Sequence, residues 1–167
     1  MSENEKEILD TGLTLEVARR RYPEKERPID DTRALITSSF FIEGEDLDLE
    51  ACTRELGLQP TRVVSAAIKG RWLPSGKANV VKPQWVVERK DQPSDDVNDE
   101  LMKLLDLLWP RREAVIGWLK RTGHDAGFTT SVNIFNDRPL YCLSPKTLKR
   151  LAYFNVEWGL DIFDYSD

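Results

Sequence analysis

The sequence predicts an α+β domain on a ferredoxin-like, split βαβ sheet, mostly antiparallel, with its helices packed on one face. Three observations lead there. Stretches of two-residue alternation and stretches of helical periodicity follow one another in the order β-α-β-β-α-β-β-α-β. The helical stretches are bounded by recognisable start and stop residues. A hydrophobic content of 40% in 167 residues, with five Trp, six Phe and four Tyr, supplies a core without disulfide or metal staples.

Residues 1–32 form a polar arm with nine acidic and six basic residues, expected to be flexible or loosely docked. Within it Thr14 can cap a short helix from Leu15 to Tyr22, ended by Pro23. The folded domain is expected over 33–167. Its first strand carries Ala34, Ile36, Ser38, Phe40 and Ile42 on one face and Leu35, Thr37, Ser39 and Phe41 on the other. Apolar groups on both faces point to a central strand. A helix follows with Asp46 or Asp48 as N-cap and Leu49, Cys52 and Leu56 on its buried stripe. Gly57 suits the left-handed stop, and Pro60 prevents continuation. Val63 to Ile68 is expected as the second strand and PQWVVER as the third, with Trp85 and Val87 on one face. The Gly- and Pro-punctuated connection between them, 69–82, is net basic and carries Arg71 and Trp72.

Ser94 is the expected cap of the longest helical pattern, in which Val97, Leu101, Leu104, Leu105 and Leu108 recur on one face. Pro110 either kinks this helix or opens a second one containing Val115, Ile116 and Leu119, and Gly123 ends it. FTTSVNIF alternates Phe128, Thr130, Val132 and Ile134, and a turn at 136–139 leads to LYCL as a hairpin partner. Ser144 and Pro145 start the last helix, with Leu148, Leu151 and Ala152 inward and Asn155 as its stop. Trp158, Leu160 and Ile162 alternate in the closing strand.

Charge and composition exclude several chemistries. A net charge of −5 argues against a general nucleic-acid binder, which needs a basic surface. One His and two Cys are too few for a usual zinc site, and no cofactor is expected. There is no phosphate-cradling glycine motif and no nucleophile elbow. The opening MSENEKEILD has no apolar run behind it and no bilayer-length stretch follows, so a cytoplasmic protein without membrane contact is expected. There, Cys52 and Cys142 are expected as two buried free thiols, and Cys52 as a small core hydrophobe. His124, following a helix end, is expected to be a cap or surface residue; an enzyme centred on it is the least favoured function. Asp161 and Asp164 fall on opposite faces of a strand and make no acid–base pair.

What remains is the placement of charge. Glu43, Glu45, Asp46, Asp48 and Glu50 include no base, nor do Glu157, Asp161, Asp164 and Asp167 near the end of the chain. If the two stretches meet, they form an acidic surface able to steer a basic partner.

FFIEG, a helix ending LGLQP, the pair Lys69–Gly70 and Trp85 in a strand follow one another in a telling order. With the Leu-rich helix, Leu143-Ser144-Pro145 and the closing LDIFD, the pattern resembles the bacterial domain of unknown function 4279 over residues 33–165. The segment Arg71–Val80 is more basic than that pattern. The resemblance carries no reaction and no catalytic residue; domains of this type often accompany toxin or secretion genes. The function expected is a non-catalytic immunity or inhibitor protein that binds a toxin through an acidic surface. Its partner-binding candidates are Glu45, Asp46, Asp48, Arg71, Trp72, Asp161 and Asp164. The alternative is a small-ligand sensor or accessory domain with a pocket near Trp72 and Trp85.

Overall fold

In the computed structural model the described residues are 32–65, 67–69 and 79–166. The helix expected over Leu15–Tyr22 and the candidates Arg71 and Trp72 lie outside them. Strand β1 (Ala34–Glu43) is the middle of a five-stranded mixed sheet ordered β2-β5-β1-β6-β7. Its partners are β5 (Gln84–Ser94) and β6 (Asp125–Ile134), both antiparallel to it. The short β2 (Arg62–Val64) borders β5 antiparallel, and β7 (Glu157–Asp164) borders β6 parallel. Strands β3 (Ala67–Lys69) and β4 (Asn79–Val81) pair only with each other, so the single strand expected over Val63–Ile68 is two strands in two sheets.

Alternation in β1 sets the layers. Ala34, Ile36, Ser38, Phe40 and Ile42 are buried beneath the helices, whereas Leu35, Thr37, Phe41 and Glu43 on the other face are half-buried. Helix α1 (Leu49–Leu56) is capped by Asp48, whose carboxylate accepts from the backbone N–H of Glu50 and Ala51 at 3.0 and 2.9 Å. Gly57 closes it at φ 60°. Helix α2 (Val97–Leu108) runs through a 3-10 turn, Trp109–Arg111, into α3 (Arg112–Thr122). Pro110 thus breaks the helical ladder and leaves two helices on one side of the sheet. Helix α4 (Pro145–Phe154) crosses from β6 to β7, capped by Ser144 and stopped by Asn155 at φ 53°.

All four helices face Phe40, Ile42, Trp85, Val87 and Phe128 with Cys52, Leu56, Leu101, Leu104, Leu105, Leu108, Val115, Trp118, Leu151 and Phe154. Each fully buried Leu or Phe contributes about 1.5–3 kcal/mol, so this layer is the principal stabilising element.

Three local expectations are corrected. Asp96, not Ser94, caps α2, accepting from the Asn98 N–H at 2.8 Å, because β5 continues to Ser94 as the partner of Ala34. Pro93 is tolerated so late in the strand because β2 covers only Gln84–Val86 on the outer side of β5. LYCL forms no hairpin: β1 and β7 already occupy both sides of β6, and Leu140 instead bridges to the start of α2. In α4 the inward residues are Thr147, Leu151 and Phe154; Leu148 is 51% exposed and Ala152 is also exposed.

The pairing of strands decides where function can sit. Glu43 ends β1 opposite Asp125, which starts β6, and opposite Gln84, which starts β5. Glu157 starts β7 beside Gly127. One end of the sheet therefore collects termini of four strands and three of their carboxylates.

Candidate functional site

At that end an open groove of about 1300 Å³ lies between the strand termini, α3 and the last turn of α4. Ile116 and Leu119 of α3, Phe154 and Val156 give it an apolar floor. Phe41 forms another wall because its partner across the strands is Gly127: a Cβ there would press on the Phe41 ring and on the Glu157 carbonyl. Around the floor stand Glu43, Glu113, Asp125 and Glu157, with Lys120 the only Lys or Arg among the described residues that line the groove.

These carboxylates are held differently. Glu43 accepts a hydrogen bond from Gln84 Nε2 at 2.7 Å. Asp125 lies 3.7 Å from the Lys82 ammonium. The Tyr153 hydroxyl donates a short hydrogen bond to Glu113, and that bond is the main reason the phenol is held above its ordinary pKa. Glu157 forms no ion pair among the described residues. The groove so presents negative charge over an apolar base, a combination that favours cationic groups with apolar stems.

His124 borders the groove from the turn between α3 and β6. Its side chain is only 8% exposed, wedged against Gly44 and with its ring 6.0 Å from that of Trp118. Nε2 lies 3.1 Å from Asp46 Oδ1, and Nδ1 is buried without a hydrogen-bond partner among the described residues. This imidazole is therefore neither a helix cap nor a surface residue. It ties the turn after β1 to the turn before β6.

Of the candidates read from sequence, Glu45, Asp46 and Asp48 lie together in the β1–α1 turn beside this end of the sheet. Asp46 is committed to His124 and Asp48 to the α1 cap. Asp161 is halfway along β7, opposite Ser131, and Asp164 is at its far end, opposite Ile134. The strand from Glu157 to Asp164 spans about 23 Å at the usual rise. Asp164 is held below the ordinary carboxylate pKa by hydrogen bonds from the Ser166 hydroxyl and N–H and by Arg138 at 2.7 Å. The two acidic stretches meet through Glu43 and Glu157, and not through Asp161 and Asp164. Trp85 is 0% exposed in the core, its indole N–H given to Thr53 Oγ1 at 3.0 Å, so it has no surface for a ligand.

Sequence reasoning missed Glu113, Asp125 and Tyr153 as members of this site. Only the register of β1 on β6 and the packing of α3 beside α4 bring them together. Cys52 is buried and its thiol is pushed up to about 12 by desolvation, then by Glu55 and Asp48, so it is protonated at neutral pH. Cys142, expected to be buried, is exposed. No group of three or more potential metal ligands occurs among the described residues. No helix among them is long and apolar enough to cross a membrane.

No curated protein and no solved structure matches the chain. The family model of a domain of unknown function, DUF4279, does match, over residues 34–165. It spans β1 through the end of β7 and so takes in the whole groove, and the chain belongs to that family.

Proposed function

We propose that the protein is a non-catalytic binding protein whose groove at the strand termini receives a basic region of a protein partner. The observation that carries this is the convergence of Glu43, Glu113, Asp125 and Glu157 over the apolar floor made by Ile116, Leu119 and Phe154. Such a site attracts Lys or Arg side chains by long-range charge and holds their methylene stems by burial. Glu45, exposed in the adjoining turn, extends the same potential outward. An inhibitor of a basic toxin is the narrowest form of this function, in which the groove would cover the toxin's cationic surface.

The proposal extends to the fold. The order β2-β5-β1-β6, with β5 between two strands that run the same way and β1 between another two, is that of a ferredoxin-like sheet. Helix α4 and β7 are then an appended parallel unit.

The test is capture on immobilised full-length protein, followed by zero-length carbodiimide coupling of carboxylates to lysines. A specific partner should couple at Glu43, Glu113 or Glu157 and elute as salt rises from about 50 to 500 mM. The combined variant E43Q/E113Q/E157Q should lose that partner while keeping its circular dichroism. Retention of the partner by this variant overturns the proposal.

A further inference from the structure

The two edges of the main sheet differ. The β2 edge is three residues long, and its Arg62 is tied across to Glu88 at 3.6 Å. The β7 edge runs for eight residues in unbroken register with β6, from Gly127–Glu157 to Ile134–Asp164. It contains no Pro, no Lys and no bulge, the usual devices that protect an exposed strand, and no strand pairs with its outer side among the described residues. Its Ile162 side chain is 49% exposed. Among the described residues, a row of backbone donors and acceptors thus stands open beside apolar side chains.

Only charge guards this edge, and charge selects what can join it. Glu157 and Asp161 share one face with Phe163, while Leu160 and Ile162 share the other. A second copy would bring Glu157, Asp161 and Asp164, and no base, to the same edge. Carboxylates would then line both strands with no base between them, so a second copy is a poorer occupant than a basic segment.

We infer that β7 is a strand-addition site for an extended segment of a partner protein. That segment carries basic residues four apart, facing Glu157 and Asp161, and apolar residues facing Leu160 and Ile162. Main-chain hydrogen bonds supply the affinity, and the alternate side chains supply the choice of partner. The inference deepens the basic-partner function, since Glu157 belongs to both the groove and the edge, yet its backbone component is independent of the groove.

The probe is an eight-residue peptide alternating apolar Val with polar residues, with Lys at two positions four apart, added to the full-length protein and followed by amide NMR. Perturbation and slowed exchange of alternate β7 amides, with binding weakened at least tenfold by N-methylation of the peptide's pairing amides, is the expected result. An otherwise identical peptide with Glu in place of Lys should bind at least tenfold more weakly. If the N-methylated peptide binds equally well, strand addition is overturned and only groove electrostatics remain. If the Glu peptide binds equally well, the charge selection is wrong. Should sedimentation show that the β7 shifts arise from dimerisation, a second copy is the occupant and the inference fails. The variant E43Q/E113Q, which leaves β7 untouched, should keep peptide binding on β7; its loss there assigns the peptide to the groove.

Discussion

His124 and Gly44 are in direct contact across the two turns that border the groove: a methyl group at Gly44 would overlap His124 Cδ2. The imidazole is also held by Asp46, with Nε2 to Oδ1 at 3.1 Å. Gly44 is required here by space, since its backbone is not in the left-handed region.

Gly44→Ala should therefore destabilise the protein by about 1–3 kcal/mol, the usual range for overpacking a filled site. The same change in a His124→Ala background should cost less, because the clashing ring has gone. A double-mutant cycle by urea unfolding measures the difference; equal costs in the two backgrounds would show that the ring is not what excludes the methyl.

The two cysteines should behave oppositely. Cys142 is exposed and Cys52 is buried, so iodoacetamide at pH 8 should modify Cys142 in the folded protein and reach Cys52 only on unfolding. The Cys52 thiol titrates at about 12 when folded, against an ordinary value of 9.0. Between those values the folded state holds a proton that the unfolded state has released. Stability contributed by this group is thus complete below pH 9 and declines as pH rises toward 12, by up to about 1.4 kcal/mol per unit. Comparing the alkaline unfolding of wild type with Cys52→Ala isolates that slope, which should be absent from the variant.

Much of this architecture was legible because single residues settle it. Alternation in Ala34–Ile42 identified the central strand, and Gly57, Gly123 and Asn155 marked helix ends where a left-handed residue is required. The groove was not legible. Glu113 is one exposed helix residue among many, and nothing local says that α3 will pack beside the last turn of α4. The LYCL hairpin failed for the same reason. Its turn chemistry was sound, but α4 delivers β7 to the side of β6 that the hairpin needed. Long-range competition between strands has no local signature. The capping error at Ser94 is of another kind: Asp95 and Asp96 offer equally good caps, and pairing with Ala34 decides among them.

Asp91 sits at φ 50°, where β5 carries one more residue than β1 between the Ile36–Gln92 and Ser38–Arg89 pairs. Thr37 Oγ1 accepts the Asp91 N–H at 2.9 Å and donates to its carboxylate at 3.2 Å, which fixes the bulge. Glycine suits this conformation, whereas a β-branched residue does not. Asp91→Val should cost about 1–3 kcal/mol through strain and the lost carboxylate, and Asp91→Gly clearly less. Thermal unfolding of the two variants decides; a Val variant as stable as the Gly variant would remove backbone strain as the explanation.

Glu100 is the buried carboxylate of α2, 2% exposed, held by the Lys103 ammonium at 2.6 Å and by Arg89 Nη2 at 3.4 Å. Its partners are unequal. Lys103 is half exposed and can return to water, but Arg89 is largely covered and its Nε already lacks a hydrogen-bond partner among the described residues. Removing the carboxylate therefore leaves the guanidinium with the neutral Gln92 Oε1 at 3.4 Å and without its counter-charge, whereas the ammonium is hydrated. Glu100→Ala should cost about 2–4 kcal/mol, combining a lost buried acceptor with a cavity beside Leu101 and Leu104. Lys103→Ala should cost under about 1 kcal/mol, since the exposed partner contributes little. In Glu100→Ala, a further Arg89→Met change should recover part of the loss by replacing the stranded charge with an apolar chain of similar length. Chemical denaturation of the three variants separates the terms. No recovery in the double variant would locate the cost in the cavity and not in the orphaned charge.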